Sequence, residues 1–445
     1  MNRFTSFLQA YKYIRTFTDY EQMSGVRYGE RAYNLERMRT LLYCVGNPHQ
    51  QLKHIHIAGT KGKGSTAIMV DGILRTAGFK TGLYTSPHLI DMLERAQING
   101  RKISKEDFIW AMNRMKPYLR KIEPTFFEIM TCSAFLIFER EGIDFSIVEV
   151  GLGGRLDSTN VITPIVTAIT TIDYDHTDKL GNTLFSIAKE KAGIIKPNVP
   201  VVVASQRQEP LGVIKQVALK NGASLSIVGK DIKVIGLTTA QHKLKFNVSI
   251  EGRVIRNIVL PLFGEHQAEN AAMAIGIVNH CGFSISDNVI LRALREIRIP
   301  CRIEMVSKIP KTIVDVAHNP VSIKALVTTI RNSKLLTVKS SQLILVFAVA
   351  KDKDIAGMLK EILPITDVAI FTKMDNPRAC STEVLLKMAS KLNINGLSAV
   401  VIDKVDRAIS FARQMAGRRD LILIAGSFYL AGEAMKVMDN RGFIQ

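Results

Sequence analysis

Ile57-Ala-Gly-Thr-Lys-Gly-Lys-Gly-Ser-Thr66 is the stretch that decides the fold. Just upstream, His54-Ile-His-Ile-Ala58 alternates as a short strand does, and Ser65 to Ala77 carries apolar residues at helical spacing, so the glycines fall on a strand-to-helix turn. Gly59, Gly62 and Gly64 permit backbone angles that side chains forbid, which lets successive N–H groups converge on phosphate oxygens at a helix N-terminus. Lys63 then reaches the outer phosphates, and a hydroxyl from Ser65 or Thr66 faces a metal. The spacing departs from G-x-x-x-x-G-K-[ST], because Gly64 stands between lysine and serine. The bland reading is a glycine turn with a solvated lysine.

Outward from the loop, strands at Thr81–Ser86, Asp144–Val150, Ile165–Ile172 and Val199–Ala204 alternate with helices near Lys105–Tyr118 and Pro124–Arg140. That order predicts a parallel sheet with crossover helices. Residues 231–260 alternate polar and apolar as antiparallel ribbons do, and helices near Gln267–Cys281 and Val289–Arg295 follow. A second alternation begins near residue 300, with strands at Thr312–Val316, Leu343–Ala350, Val368–Thr372, Val400–Ile402 and Leu421–Ala425, each with a helix after it. It reads as a doubly wound sheet without a G-x-G-x-x-G fingerprint. Ile299-Pro-Cys-Arg-Ile303 marks the boundary, giving domains 1–298 and 299–445.

Composition narrows the function classes. A chain of 445 residues exceeds what one core serves, and no apolar run nears the roughly 18 residues of a membrane helix. No membrane contact is expected, and without a signal-peptide core the chain reads as cytoplasmic. Five scattered cysteines, none in C-x-x-C spacing, argue against disulfides and thiolate zinc sites. The net charge of +19 fits nucleic acid or anionic small substrates. Since the charge is spread along the chain and aromatics are 7%, nucleic acid is not expected as a partner.

Further motifs follow in order: Tyr28-Gly-Glu-Arg, Thr85-Ser-Pro-His-Leu89, Glu94-Arg with Ile98-Asn-Gly100, Thr125-Phe-Phe-Glu128, and Glu149-Val-Gly-Leu-Gly-Gly-Arg-Leu-Asp-Ser-Thr-Asn160. Then come Asp175-His176, Glu190-Lys-Ala-Gly-Ile-Ile-Lys196, Gly264-Glu-His-Gln with Asn270-Ala271, Asp315-Val-Ala-His-Asn-Pro320, Lys351-Asp-Lys-Asp354 and Gly426-Ser-Phe-Tyr429. With these motifs the chain resembles the ATP-dependent Mur-type ligases, and within them the folylpolyglutamate synthases and dihydrofolate synthases. The resemblance implies an α/β protein whose parallel-sheet P-loop ATP-binding domain precedes a smaller, doubly wound, Rossmann-like C-terminal domain. It also implies ATP, L-glutamate and a folate-type acceptor (dihydropteroate or tetrahydrofolate) as substrates, two magnesium ions as cofactors, and a monomer.

Site residues follow by the same resemblance. Gly59, Thr60, Gly62, Lys63, Gly64, Ser65, Thr66, Asn270, Arg302 and Asp315 are implied in nucleotide binding, with Asn270 and Asp315 at adenine or ribose and Arg302 as a phosphate clamp. Ser86, Glu149, His176 and Lys191 are implied as metal ligands. Lys191 is implied to be carbamylated, so that a cation becomes a carboxylate-like ligand; this needs a neutral amine, hence burial near other cations. Thr125, Phe126, Phe127, Glu128, Asp157 and Thr159 are implied at the pterin end of the acceptor, Ser427 and His318 near the incoming glutamate, and Lys63, Lys191 and His318 in catalysis. Elementary chemistry is consistent with this set, because activating a carboxylate through ATP builds charge on phosphate oxygens and calls for cations and oriented donors.

Each residue has a plainer reading. Ser86 before Pro87 opens a turn, His176 is a solvated loop histidine, Lys191 lies on an amphipathic helix beside Lys189, and Asp315 with His318 caps the helix after Pro320. His54 and His56 are structural. Glu149 is harder to dismiss, since an unpartnered carboxylate in a buried strand is costly. The chain departs from the family at Lys61, usually asparagine, and at Cys301 and Val316, both usually glycine. The alternatives are a cell-wall amide ligase of the same family, a nucleotide-binding protein that has lost turnover, and a basic nucleic-acid ATPase.

Overall fold

The computed structural model describes residues 3–21, 23, 29, 33–240, 243–333, 335 and 341–440. Tyr28, Glu30 and Arg31 of the first motif lie outside them. The chain divides into two compact units: Met1–Thr238 with Lys245–Pro261 and Glu265–Ile297, and Thr239–Leu244 with Leu262–Gly264 and Arg298–Gln445.

The first unit is organised by an eight-stranded sheet of β1 (His54–Ala58), β2 (Thr81–Tyr84), β3 (Ala96–Ile98), β4 (Arg101–Lys102), β5 (Phe145–Glu149), β6 (Pro164–Ile169), β7 (Val201–Val203) and β8 (Leu225–Ile227). Its order is β4-β3-β2-β5-β1-β6-β7-β8. The six strands from β2 to β8 run parallel, while β3 and β4 add an antiparallel edge that the βα alternation did not predict. The turn there is Asn99-Gly100, both at positive φ (49° and 74°), which is what a tight hairpin requires.

β1 is buried along its whole length. Parallel sheets carry helices on both faces, so a central strand has no wet side. His54 Nε2 lies 2.7 Å from the carbonyl oxygen of His49 and His56 Nε2 lies 2.9 Å from Thr159 Oγ1. Burial pushes the His54 imidazole down to about 4 and His56 lower still. Both histidines are neutral packing residues at physiological pH, as their structural reading expected. A three-stranded sheet of β9 (Ile232–Ala240), β10 (Lys243–Ile250) and β11 (Arg253–Leu260) occupies the ribbon region, and burial alternates along β10.

The second unit holds β12 (Glu304–Lys308), β13 (Lys311–Val314), β14 (Leu343–Phe347), β15 (Val368–Lys373), β16 (Ser398–Lys404) and β17 (Leu421–Ala425) in the order β12-β13-β17-β14-β15-β16. All neighbours are parallel except β12, which pairs antiparallel with β13. Helices Pro320–Asn332, Ile355–Ile362, Thr382–Ser390, Val405–Met415 and Phe428–Asn440 follow β13 to β17 in turn. The last strand, β17, inserts between β13 and β14, so the carboxyl ends of β13 and β17 lie side by side. Among the described residues no helix is long and apolar enough to cross a membrane.

Candidate active site

β1 lies between β5 and β6, where the strand order reverses, and open α/β sheets bind ligands at the carboxyl ends of strands beside such a point. Gly59 and Gly62 hold φ of 144° and 91°. A Cβ on Gly59 would stand 1.7 Å from Thr170 Oγ1, and one on Gly62 would stand 2.5 Å from Asn270 Oδ1. Sterics and backbone angle thus both exclude a side chain. The helix Lys63–Thr76 starts with Gly62 as its N-cap and no side-chain cap, which leaves first-turn N–H groups for an anion. Thr66 Oγ1 is buried with no hydrogen-bond partner among the described residues, a cost of roughly 1–3 kcal/mol that a phosphate oxygen or a metal-bound water would remove.

Glu149 closes the other side of this space. It ends β5 as a residue only 4% exposed, and Ile57 of β1 is its register partner. A Cβ on Gly64 would stand 3.4 Å from Glu149 Oε2 and 3.7 Å from Oε1. Any longer side chain would fill the gap between loop and carboxylate, which is the physical reason for the glycine between Lys63 and Ser65. The Ser86 backbone N–H donates to Glu149 Oε2 at 3.2 Å. Glu149, Ser65 and Thr66 are each buried, and carboxylate and hydroxyl oxygens are the hard donors that magnesium takes. His176 lies on an exposed turn at φ 50°, where its backbone N–H donates to Asp175 Oδ1 at 3.0 Å. Among the described residues no three His, Cys, Asp or Glu side chains gather as a metal cluster.

Lys191, on the helix Leu184–Ala192, is 5% exposed and its Nζ donates to the Gly59 carbonyl at 2.8 Å. Burial first, and the nearby Lys63 charge second, pull its amine down to about 7. The Gly151–Arg155 turn packs on the end of this helix, where a Cβ on Gly154 would meet the Glu190 carbonyl at 2.7 Å and Arg155 pairs with Glu190 at 3.0 Å.

The residues expected at the acceptor are held by partners within the unit. Thr125 caps the helix Phe126–Arg140 in a reciprocal box with Glu128, and the Glu128 carboxylate also takes two bonds from Arg37, at 2.7 and 2.8 Å. Arg95 stands 5.2 Å over the Phe126 ring and pairs with Glu21. The Phe127 ring packs where a Cβ on Gly151 would be, 2.6 Å away. Asp157 accepts from Leu152 N–H, Thr159 N–H and Thr159 Oγ1 at 2.9, 3.0 and 2.5 Å, and burial pushes its carboxyl up despite these donors. Arg37 and Arg95 escaped residue-type reasoning, although Arg95 sits in the quoted Glu94-Arg motif.

In the second unit, Asp315 follows β13 and Ser427 follows β17. Asp315 Oδ1 and Oδ2 accept from Ala317 and Ile303 N–H at 2.7 and 2.8 Å. Burial raises its carboxyl above the usual range, with Arg302 acting against that shift. His318 Nδ1 lies 2.9 Å from the Val316 carbonyl oxygen, and its ring centroid is 5.4 Å from that of Phe428, over which the Arg302 guanidinium also stands at 5.4 Å. Ser427 Oγ accepts from Tyr429 N–H at 3.1 Å. Asp315, His318, Arg302 and Ser427 thus share one end of this sheet, whereas Asn270 belongs to the first unit, against Gly62. Cys301 adopts φ 54°, the left-handed region that glycine favours, and its carbonyl accepts from Val316 N–H at 3.0 Å.

Residues 57–278 match the Mur ligase middle domain and residues 301–428 the Mur ligase, glutamate ligase domain. The chain is 34% identical to the dihydrofolate synthase/folylpolyglutamate synthase of Bacillus subtilis, over 94% of this chain and 99% of that one. It is 33% identical to the Escherichia coli protein of the same description, over 86% of each. Mycobacterium tuberculosis folylpolyglutamate synthase complexed with ADP has a TM-score of 0.87 at 30% identity, covering 97% of this chain and 98% of that one. Escherichia coli FolC in complex with DHPP and ADP has a TM-score of 0.86 at 30% identity, covering 99% and 100%.

Proposed function

The chain belongs to the Mur ligase family, in its folylpolyglutamate synthase and dihydrofolate synthase branch, and from that membership and the site geometry we propose the following reading. It is an ATP-dependent ligase that adds L-glutamate to a folate-type carboxylate and releases ADP and phosphate. The cell-wall alternative is not favoured, because relatives matching over nearly the whole chain carry folate-ligase descriptions. The observation that carries the reading is the glycine loop opening onto Glu149 across Gly64.

An acceptor carboxylate oxygen attacks the γ-phosphorus of ATP, the bond from that phosphorus to ADP breaks, and ADP leaves with the electron pair. The glutamate amine then attacks the acyl carbon of the acyl phosphate, phosphate departs, and the nitrogen loses a proton. Charge grows on phosphate oxygens in the first step, so oriented cations and N–H donors lower its barrier. Lys63 and the first turn of its helix supply these donors. Glu149 and Ser86 are the residues for magnesium, with His176 and a carbamylated Lys191 completing the two-ion set; bound there, magnesium would offset charge on the phosphates. The low pKa of Lys191 supports this role, since its neutral nitrogen adds to carbon dioxide, forms an N–C bond and loses one proton. Asn270 and Asp315 are assigned to the nucleoside, Arg302 to phosphate, and His318 with Ser427 to glutamate. Thr125 to Glu128, Asp157 and Thr159 shape the wall for the pterin end.

Glutamate incorporation measured with dihydropteroate and with tetrahydrofolate tests the reading and separates the two acceptors. No glutamate-dependent phosphate release with any folate acceptor would overturn it.

A further inference from the structure

One cation of the loop has no part in that chemistry. Lys61 occupies a position where asparagine is usual in this branch, and beside Lys63 it invites reading as one more phosphate ligand. Its geometry directs it elsewhere. Lys61 Nζ lies 2.8 Å from Asp173 Oδ2. The backbone N–H groups of Thr60 and Lys61 both donate to the Thr171 carbonyl, at 3.0 and 3.1 Å. Thr60 Oγ1 donates to the Asp173 carbonyl at 3.1 Å and accepts from Asp173 N–H at 3.2 Å. Five contacts therefore join the leading edge of the loop to the segment that leaves β6 and runs into the Asp175-His176 turn.

The charge on Asp173 is secured. Burial pushes its carboxyl up, but the Lys61 ammonium, the Tyr174 N–H and the Arg207 guanidinium outweigh that and hold it below the usual carboxylate range. Lys61 is paired with a group that stays ionised at neutral pH, and a shorter, uncharged asparagine could not make that ion pair. An ion pair this exposed is worth about 0.2–1 kcal/mol alone. Here it closes a contact already built from four backbone-linked hydrogen bonds, so its effect falls on the position of the segment more than on global stability.

We propose that Lys61 is a positioning residue: its ion pair with Asp173 clamps the phosphate-binding loop to the turn that carries His176, and it does not contact phosphate. The link to His176 as a metal ligand rests on the ligase reading, whereas the clamp itself does not.

The test uses Lys61→Gln, Asp173→Asn, the double variant and Lys61→Arg in the full-length protein. Amide hydrogen exchange across residues 171–180 and calorimetric binding of ADP are the readouts. Each single variant is expected to speed exchange in this segment up to about fivefold, an equilibrium change of about 1 kcal/mol. The double variant exchanges no faster than the singles, Lys61→Arg restores slow exchange, and ADP affinity stays within about threefold throughout. Unchanged exchange in both singles overturns the clamp. So does weakening of ADP by about tenfold or more in Lys61→Gln with no loss in Asp173→Asn, the signature of a phosphate ligand. Exchange needs no turnover, so an unaltered protein without ligase activity counts against the functional reading alone.

Discussion

Replacing Lys191 with methionine keeps an unbranched buried side chain, one heavy atom shorter, and removes its titrating amine. An amine moved from the ordinary 10.5 to about 7 makes the folded state bind fewer protons than the unfolded state between those values. Stability therefore rises with pH across that window, and below pH 7 the full penalty applies. Taking one proton and the two pKa values, the penalty at pH 7 is about 4 kcal/mol, falling by about 1 kcal/mol at pH 8 and by about 2 kcal/mol at pH 9. The variant also leaves the Gly59 carbonyl without the Nζ donor, which costs roughly 1–3 kcal/mol. Lys191→Met is thus expected to be about 1–3 kcal/mol more stable than the natural protein at pH 7, with the gain vanishing by pH 9. Urea unfolding in carbon-dioxide-free buffer, followed by the fluorescence of the single tryptophan, Trp110, reads the first unit, in which both residues lie. Stability curves that run parallel from pH 7 to 9 would show that the folded protein does not hold a low-pKa lysine.

Other outcomes are equally open to measurement. Lys191→Ala loses ligase activity, and a variant fully active without bicarbonate rules out the carbamate. Glu149→Gln should lower kcat by about 10² or more while ADP still binds without magnesium, since only the charge that holds the ion is removed; calorimetry that finds ADP binding abolished points to a structural role instead. Thr125→Ala costs about 1 kcal/mol of stability through the lost cap, visible as a lower Tm, and an unshifted Tm contradicts the capping box. At Cys301, glycine is expected to change stability by less than about 1 kcal/mol, whereas valine costs about 2 kcal/mol because a β-branched residue resists φ 54°. Equal costs for the two substitutions would locate the constraint in the thiol.

Much of the chain could be read from local pattern. The β1 strand, the glycine turn and the helix after it have signatures contained within about a dozen residues. β17 matches its expected span, and the crossover helices follow from alternation. Antiparallel edges escaped, because Ala96–Ile98 and Arg101–Lys102 are too short to show a period and β12 joins its sheet only through its pairing with β13. The helices Phe7–Ile14 and Leu35–Cys44 precede the alternation and were not read. The burial of both faces of β1 was equally hidden, since alternation cannot report a helix packed on the polar side.

By itself the sequence determined that a phosphate-binding turn exists and which family carries it, because glycine backbone freedom and motif order are properties of the chain. Only the tertiary structure decided what Gly64, Lys61 and Lys191 do. Gly64 leaves room for a carboxylate on another strand, Lys61 finds Asp173 112 residues on, and Lys191 meets the Gly59 carbonyl across 132 residues. Close packing and low polarity around an amine, which set its charge, arise only when distant segments exclude water together.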